Sequence, residues 1–195
     1  MDNGSYVPLI IDVEASGFGA GSYPIEFGVA LSSGVGFSML IRPEPDWVHW
    51  DARAQQLHGL KRSELMASGH VIRDVANRFN SLLNGQKLYS DGWTVDKPWI
   101  TTLFHAARVP MQFSVHPIEQ IMCESQFEIW DDTKQQIIER SNDSCHRAGN
   151  DAYIIQQTYA NTRAQVSNDS VKQNKFPHSD FADKGIYSAR AVGMN

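Results

Sequence analysis

Short apolar runs bounded by turn residues fill the first part of the chain, and longer segments with an apolar side follow them. Residues 6 to 11 read as a buried strand, with Asp12 and Glu14 just past its carboxyl end. "YPIEFGVAL" (23 to 31) and "GFSMLIRP" (36 to 43) read as two more strands joined by the turn "SSGVG", so a three-stranded meander is expected, closed by Pro43 and Pro45. Residues 47 to 57 and 71 to 83 are expected to be helical, the second placing Val71, Val75, Phe79 and Leu82 or Leu83 on one side. "QKLYS" reads as a strand ended by "DG". Residues 96 to 109 read as a helix with Lys97 and Pro98 in its first turn, where proline is tolerated. "FEIWDD" suggests a last strand and residues 151 to 163 a last helix. Three strands followed by alternating helices and strands predict an α/β layer around a mixed sheet.

Composition narrows this picture only a little. The 195 residues suit a single domain, and 42% hydrophobic content with eight prolines and fourteen glycines is ordinary for a globular chain. Seventeen Lys and Arg against 22 Asp and Glu give a net charge of -5, without the basic field usual in nucleic-acid binders. Metal ions held by clustered carboxylates would reverse that sign locally. The start "MDNGSYVPLIID" lacks a secretory pattern, and no apolar stretch reaches about eighteen residues, so a cytoplasmic location without membrane contact is expected. Cys123 and Cys145 lack metal-ligand spacing and are expected to be reduced thiols. After Arg163 the texture turns polar, with scattered Phe176, Phe181 and Tyr187. A domain over residues 1–163 is expected, and residues 164–195 form an extension that packs on it or binds a partner.

The acidic pair raises the chemical question. Side chains at i and i+2 of a strand share a face, so Asp12 and Glu14 can reach one ion while Val13 faces the other way. Burying two unpaired carboxylates side by side is costly, which calls for something positive between them. Gly17, Gly19 and Gly21 leave room for a ligand close to the main chain. Taken alone, the segment reads equally well as exposed acids at a strand end. Asp96 and Asp151 each open an expected helix, which puts them on the rim where α/β proteins carry their sites. Four oxygen donors favour Mg²⁺ or Mn²⁺ over zinc.

Taken together, the motifs resemble the DEDDh branch of the DnaQ-like, ribonuclease H-like 3′ to 5′ exonucleases, the superfamily of the DNA polymerase III proofreading subunit, ribonuclease T and the TREX nucleases. "DVEASG" matches the first motif through Asp12 and Glu14, and "DGWTVDKPW" matches the second through Asp96. "HRAGNDA" matches the third through His146 and Asp151, and "QQLHGL" resembles the H-G-I/L segment between the first two. The matches run in order over residues 9 to 159. Ala15 stands where many relatives have Thr, and "SDGWTVD" departs from the common H-N-A-x-F-D form, which makes Asp91 a rival to Asp96.

The resemblance implies a mixed five-stranded sheet flanked by helices, and two Mg²⁺ or Mn²⁺ ions per active site. Asp12 would bridge both ions, Glu14 and Asp151 would complete the shell of the first, and Asp96 would support an ion directly or through water. His146 would take the proton of the attacking water, its unperturbed pKa near 6.5 suiting that task. Five helical residues turn about 500°, so His146 is expected on the loop leading into the last helix, with Gly149 and Asn150 easing the entry. His58 is expected at a turn beside the site, Phe18 and Trp93 against a base, and Arg147 on phosphate or on a surface acid. Trp47 and Trp50 are assigned to packing. The implied activity is 3′ to 5′ exonuclease release of nucleoside 5′-monophosphates from single-stranded or frayed DNA ends. Trimming of RNA ends and a noncatalytic or polymerase-associated binding module are the alternatives. Single-stranded 3′ ends are the expected partner, DNA favoured over RNA, with a homodimer or a polymerase or repair partner left open.

Overall fold

The computed structural model describes residues 7–141 and 146–173. Strands β1 (Leu9–Ala15), β2 (Pro24–Ala30) and β3 (Gly36–Leu40) make the antiparallel meander. β4 (Lys87–Ser90) pairs parallel with β1, and β5 (Ser114–Pro117) parallel with β4, giving the order β3-β2-β1-β4-β5. The α/β architecture with a mixed five-stranded sheet flanked by helices is therefore the one expected from the sequence.

Strand parity decides what each face receives. Ile11, Val13 and Ala15 of β1 enter the core shared with α3 (Ile72–Leu83) and α4 (Trp93–Ala107). In that core Phe27 meets Phe79 edge-on at 5.4 Å, a geometry worth about 0.5–1.5 kcal/mol beyond area burial. Ile10 faces the other way, into a smaller core with Ala152, Ile155 and Tyr159 of α7 (Ala148–Gln173). Asp12 and Glu14 share the parity of Ile10, so they point to the α7 side and Val13 away from it.

β1 is longer than expected at its carboxyl end and includes both acids. Pairing with β2 carries it on, through Asp12 opposite Gly28 and Glu14 opposite Glu26, whereas pairing with β4 stops at Ile10. Beyond Ile10 the strand has a neighbour on one side only, which leaves room for the start of α4.

Several boundaries differ from the sequence reading. Helix α1 (Ala52–His58) begins at residue 52 because the Asp51 side chain accepts the Arg53 N–H as its cap, and residues 47–51 stay outside it. A helix not foreseen, α2 (Arg62–Ser68), follows. Helix α4 starts about one turn before Asp96, so Pro98 lies inside it and not in its first turn as expected. "FEIWDD" is not a strand. It spans the end of α5 (Glu124–Glu128) and the start of α6 (Trp130–Arg140), where Asp131 and Asp132 in the first turn suit a helix N-terminus and Trp130 packs on the α7 core. The fifth strand is the short "SVHP" of β5, followed by a 3-10 turn (Ile118–Ile121). Helix α7 begins three residues earlier than expected and runs past Arg163 to Gln173. Cys123 is a free, exposed thiol, whereas Cys145, Phe176, Phe181 and Tyr187 lie outside the described residues.

One glycine sets how closely α7 approaches the sheet. A Cβ added to Gly28 would lie 2.1 Å from the Ala148 carbonyl carbon and 2.2 Å from the Gly149 nitrogen, both backbone atoms that cannot swing aside. Gly28 is the cross-strand partner of Asp12, so this contact fixes the start of α7 beside the acidic pair. Gly28→Ala is expected to destabilise the fold by about 1–3 kcal/mol, the usual cost of overpacking, read as a lowered thermal midpoint.

Candidate active site

Three separate segments of the chain converge at the carboxyl end of β1. The strand contributes Asp12 and Glu14, the first turn of α4 contributes Asp96, the loop before α7 contributes His146, and the first turn of α7 contributes Asp151. All five line one cleft of about 330 Å³. Glu14, His146 and Asp151 each offer a ligand atom, all within 4.8 Å of one another, a set that could hold a metal ion.

Hydrogen bonds hold these groups at fixed places. The buried Ser90 hydroxyl at the end of β4 donates to Asp96 Oδ2. The His146 backbone N–H donates to Asp151 Oδ2 at 3.0 Å. His146 has a φ of 67°, a left-handed backbone that ordinary residues seldom adopt. The histidine therefore lies on the loop before the helix and is exposed to solvent.

The electrostatics follow from crowding negative charge away from water. Burial holds the Asp12 carboxyl well above its usual range, and Asp96, Glu14, Asp151 and Asp91 push it in the same direction. Glu14 is pushed up to about 7 by burial, then by Asp151, Glu26 and Asp96, with Arg147 opposing. Asp96 also reaches about 7 through burial, against the lowering effect of the Ser90 hydrogen bond. Burial raises Asp151 as well, offset by His146. Without a cation, the cluster retains protons near neutrality that isolated carboxylates would release.

Asp91 and Asp96 have different partners. Asp91 accepts from Lys134 of α6 at 2.5 Å, while Asp96 lies with Asp12 and Glu14 in the cleft.

The rest of the wall is largely apolar. Phe18, 71% exposed, stands 5.8 Å from the ring of Trp99, and both line the cleft with Leu57 and His58. Trp93 is placed elsewhere: its indole N–H donates to the Val115 carbonyl, and it lines a separate surface depression with Lys97 and Pro98. The tryptophan of the cleft is Trp99, three residues after Asp96 and so on the same side of α4. That spacing was readable in the sequence. His58 is 5% exposed, its Nδ1 accepts the Leu60 N–H at 3.0 Å, and burial lowers its pKa. It does stabilise a turn, and its buried Nε2 has no protein partner among the described residues. Trp47 stacks on Tyr23, and Trp50 donates to Gln55, as expected of packing residues.

Arg147 meets an acid, though not one on the surface. Its guanidinium donates twice to Glu26, at 2.8 and 2.9 Å, and the Ala148 N–H donates to the same carboxylate at 3.2 Å. Glu26 is 1% exposed and lies across from Glu14 in the β1/β2 register. The sequence reading passed over Glu26, although an acid inside the apolar run "YPIEFGVAL" poses the same problem as Asp12 and Glu14. The ion pair ties the His146 loop to the strand beside the cluster.

No protein-family model matches the chain, and no curated protein matches it. Solved structures do match in fold. The E. coli exonuclease I complex with single-stranded DNA in its zinc-bound form is similar with a TM-score of 0.61 at 16% identity, over 85% of this chain and 42% of that one. The E. coli exonuclease I complex with a dA16 oligonucleotide gives 0.60 at 16% identity, over 86% and 43%. A product-bound exonuclease I gives 0.60 at 17% identity, over 85% and 45%. The chain thus spans less than half the length of these exonuclease I chains, with which it shares a fold.

Proposed function

We propose that this chain is a metal-dependent 3′ to 5′ exonuclease of the DEDDh type within the DnaQ-like superfamily. It removes nucleoside 5′-monophosphates from single-stranded or frayed DNA ends. The observation that carries this reading is the convergence of Asp12, Glu14, Asp96, His146 and Asp151 in one cleft beside an apolar wall. The likeness in fold to exonuclease I bound to single-stranded DNA supports it.

The donor set fits hard divalent cations, because carboxylate oxygens predominate and their raised affinity for protons marks charge that a cation would neutralise. Asp12, Glu14, Asp96 and Asp151 would hold two Mg²⁺ or Mn²⁺ ions. When bound, such ions lower the pKa of water and stabilise a departing oxygen. His146 acts as the general base: it takes the proton of the water whose oxygen bonds to phosphorus, as the bond from phosphorus to the 3′ oxygen of the preceding nucleotide breaks. Its exposed position lets it pass that proton to solvent. Phe18 and Trp99 offer ring faces to the terminal base, a contact that tolerates any sequence. His58 closes the cleft behind them. Arg147, held by Glu26, positions the His146 loop and contacts phosphate at most from its edge.

Two matched 5′-labelled oligonucleotides, one DNA and one RNA, incubated with Mg²⁺, Mn²⁺ or EDTA, test the activity. A metal-dependent ladder shortening from the 3′ end, faster on DNA, is expected. Internal cuts, or metal-independent cleavage, contradict the reading. Faster loss of RNA moves the substrate to RNA ends.

His146→Ala separates two roles for that residue, since His146 also stands within ligand distance of Glu14 and Asp151. As a base it is expected to cost roughly 10²- to 10⁴-fold in turnover while Mn²⁺ binding, followed by electron paramagnetic resonance, persists. Loss of Mn²⁺ binding would make His146 a ligand instead.

A further inference from the structure

Asp12, His146 and Asp151 form a wall shared by two clefts. The first holds Phe18 and Trp99. The second, about 410 Å³, has neither ring and is closed on its other side by Asp91 and Lys134. Lys134 reaches it from α6, with its side chain about one third exposed and its ammonium on Asp91 Oδ2. Asp91 itself lies between Ser90, which ends β4, and Gly92, which caps α4, so the tether is anchored in the sheet.

This cation faces more than its partner. The cleft it lines is shared with Asp12, His146 and Asp151. An ion pair at a partly exposed site is worth little to stability, so the Asp91 contact alone is a weak reason for keeping Lys134 in this cleft. An ammonium has three donors, and Asp91 accepts one. A donor fixed beside a partly dehydrated cluster suits an anion that must be brought there against the negative field of the carboxylates.

We propose that Lys134 contacts a non-bridging oxygen of the phosphate undergoing cleavage, reaching it from the second cleft while Asp91 holds the ammonium in place. The proposal rests on the nuclease reading of the same site and adds a residue to it. Lys134 and the metal ions share one sign. Its removal therefore leaves metal binding unchanged or tighter while turnover falls, whereas loss of a metal ligand weakens both.

The test is single-turnover cleavage of a 5′-labelled single-stranded DNA in a Mn²⁺ series, with wild type, K134Q, K134R and the double variant D91N/K134Q. K134Q is expected to be slower by roughly 10²-fold, the usual loss for one preorganised donor, with no greater Mn²⁺ requirement. K134R should keep most of the rate. The double variant removes both charges and leaves no unpaired acid, so it is expected to fold and to be as slow as K134Q. If the double variant recovers the wild-type rate, or K134Q stays within roughly threefold of it, Lys134 serves only Asp91 and the proposal is overturned. If K134Q fails to fold, the double variant decides by the same criterion. A wild-type protein that leaves the DNA intact fails the nuclease reading instead. Fluorescence anisotropy of the same strand in Ca²⁺ then judges the contact: a loss of about tenfold in affinity for K134Q or the double variant keeps it, and equal affinity or no binding overturns it.

Discussion

Asp12 lies within the electrostatic reach of four other carboxylates, those of Asp96, Glu14, Asp151 and Asp91, on a strand buried in the middle of the sheet. Repulsion on that scale would drive the groups apart if the chain allowed it, so the surrounding structure has to oppose it. Asp12 and Glu14 are fixed by the β1/β2 ladder, Asp96 by the Ser90 hydroxyl, and Asp151 by the His146 N–H. Two cations stand close by: Lys134 is engaged by Asp91 of this same group and Arg147 by a further acid, Glu26. They reduce the excess of negative charge without cancelling it. Burial and the remaining charge push the Glu14 and Asp96 carboxyls up to about 7.

The Glu26–Arg147 pair shows how the loop carrying His146 is tied to this arrangement. A glutamate so deeply buried would be costly alone, and removing one partner of such a pair typically costs about 3–5 kcal/mol. Here two guanidinium N–H groups and the Ala148 N–H satisfy it, and the same three contacts seat residues 147 and 148 against β2. At Gly28 the backbone of α7 comes down on the strand itself. The loop thereby enters α7 at a set height above Asp12, with His146 in its left-handed conformation and Asp151 one helical turn beyond.

Local patterns made much of this legible. The i, i+2 spacing put Asp12 and Glu14 on one face with Val13 on the other, and the angular argument placed His146 on a loop and not on the helix. The meander, α3 and β4 followed from period and turn residues. The misses have a common origin in tertiary context. "FEIWDD" carries β-prone residues, but packing of Trp130 against α7 and acids suited to a helix start decide for helix. "SVHP" is too short to stand out and becomes a strand because β4 offers it an edge. Arg147 and Glu26 lie 121 positions apart, and Lys134 and Asp91 lie 43 apart, so neither pairing leaves a local trace in the sequence. Asp91, the rival to Asp96 raised by the departure from the second motif, pairs with Lys134, whereas Asp96 accepts from Ser90.

If divalent cations neutralise the carboxylate cluster, thermal denaturation across pH, with and without metal, shows it. Glu14 and Asp96 bind protons near 7 in the fold, against ordinary values of 4.5 and 3.8 in the unfolded chain. Between those values the folded state holds more protons, so stability of the metal-free protein is greatest at the acid end of that window and is lost as pH rises through about 7. With EDTA the midpoint is predicted to fall from about pH 5 to about pH 8, and Mn²⁺ is predicted to raise it by an increment that grows with pH as protons leave the ligands. A midpoint that is flat or rises over that range in EDTA, and does not respond to Mn²⁺, would contradict the account.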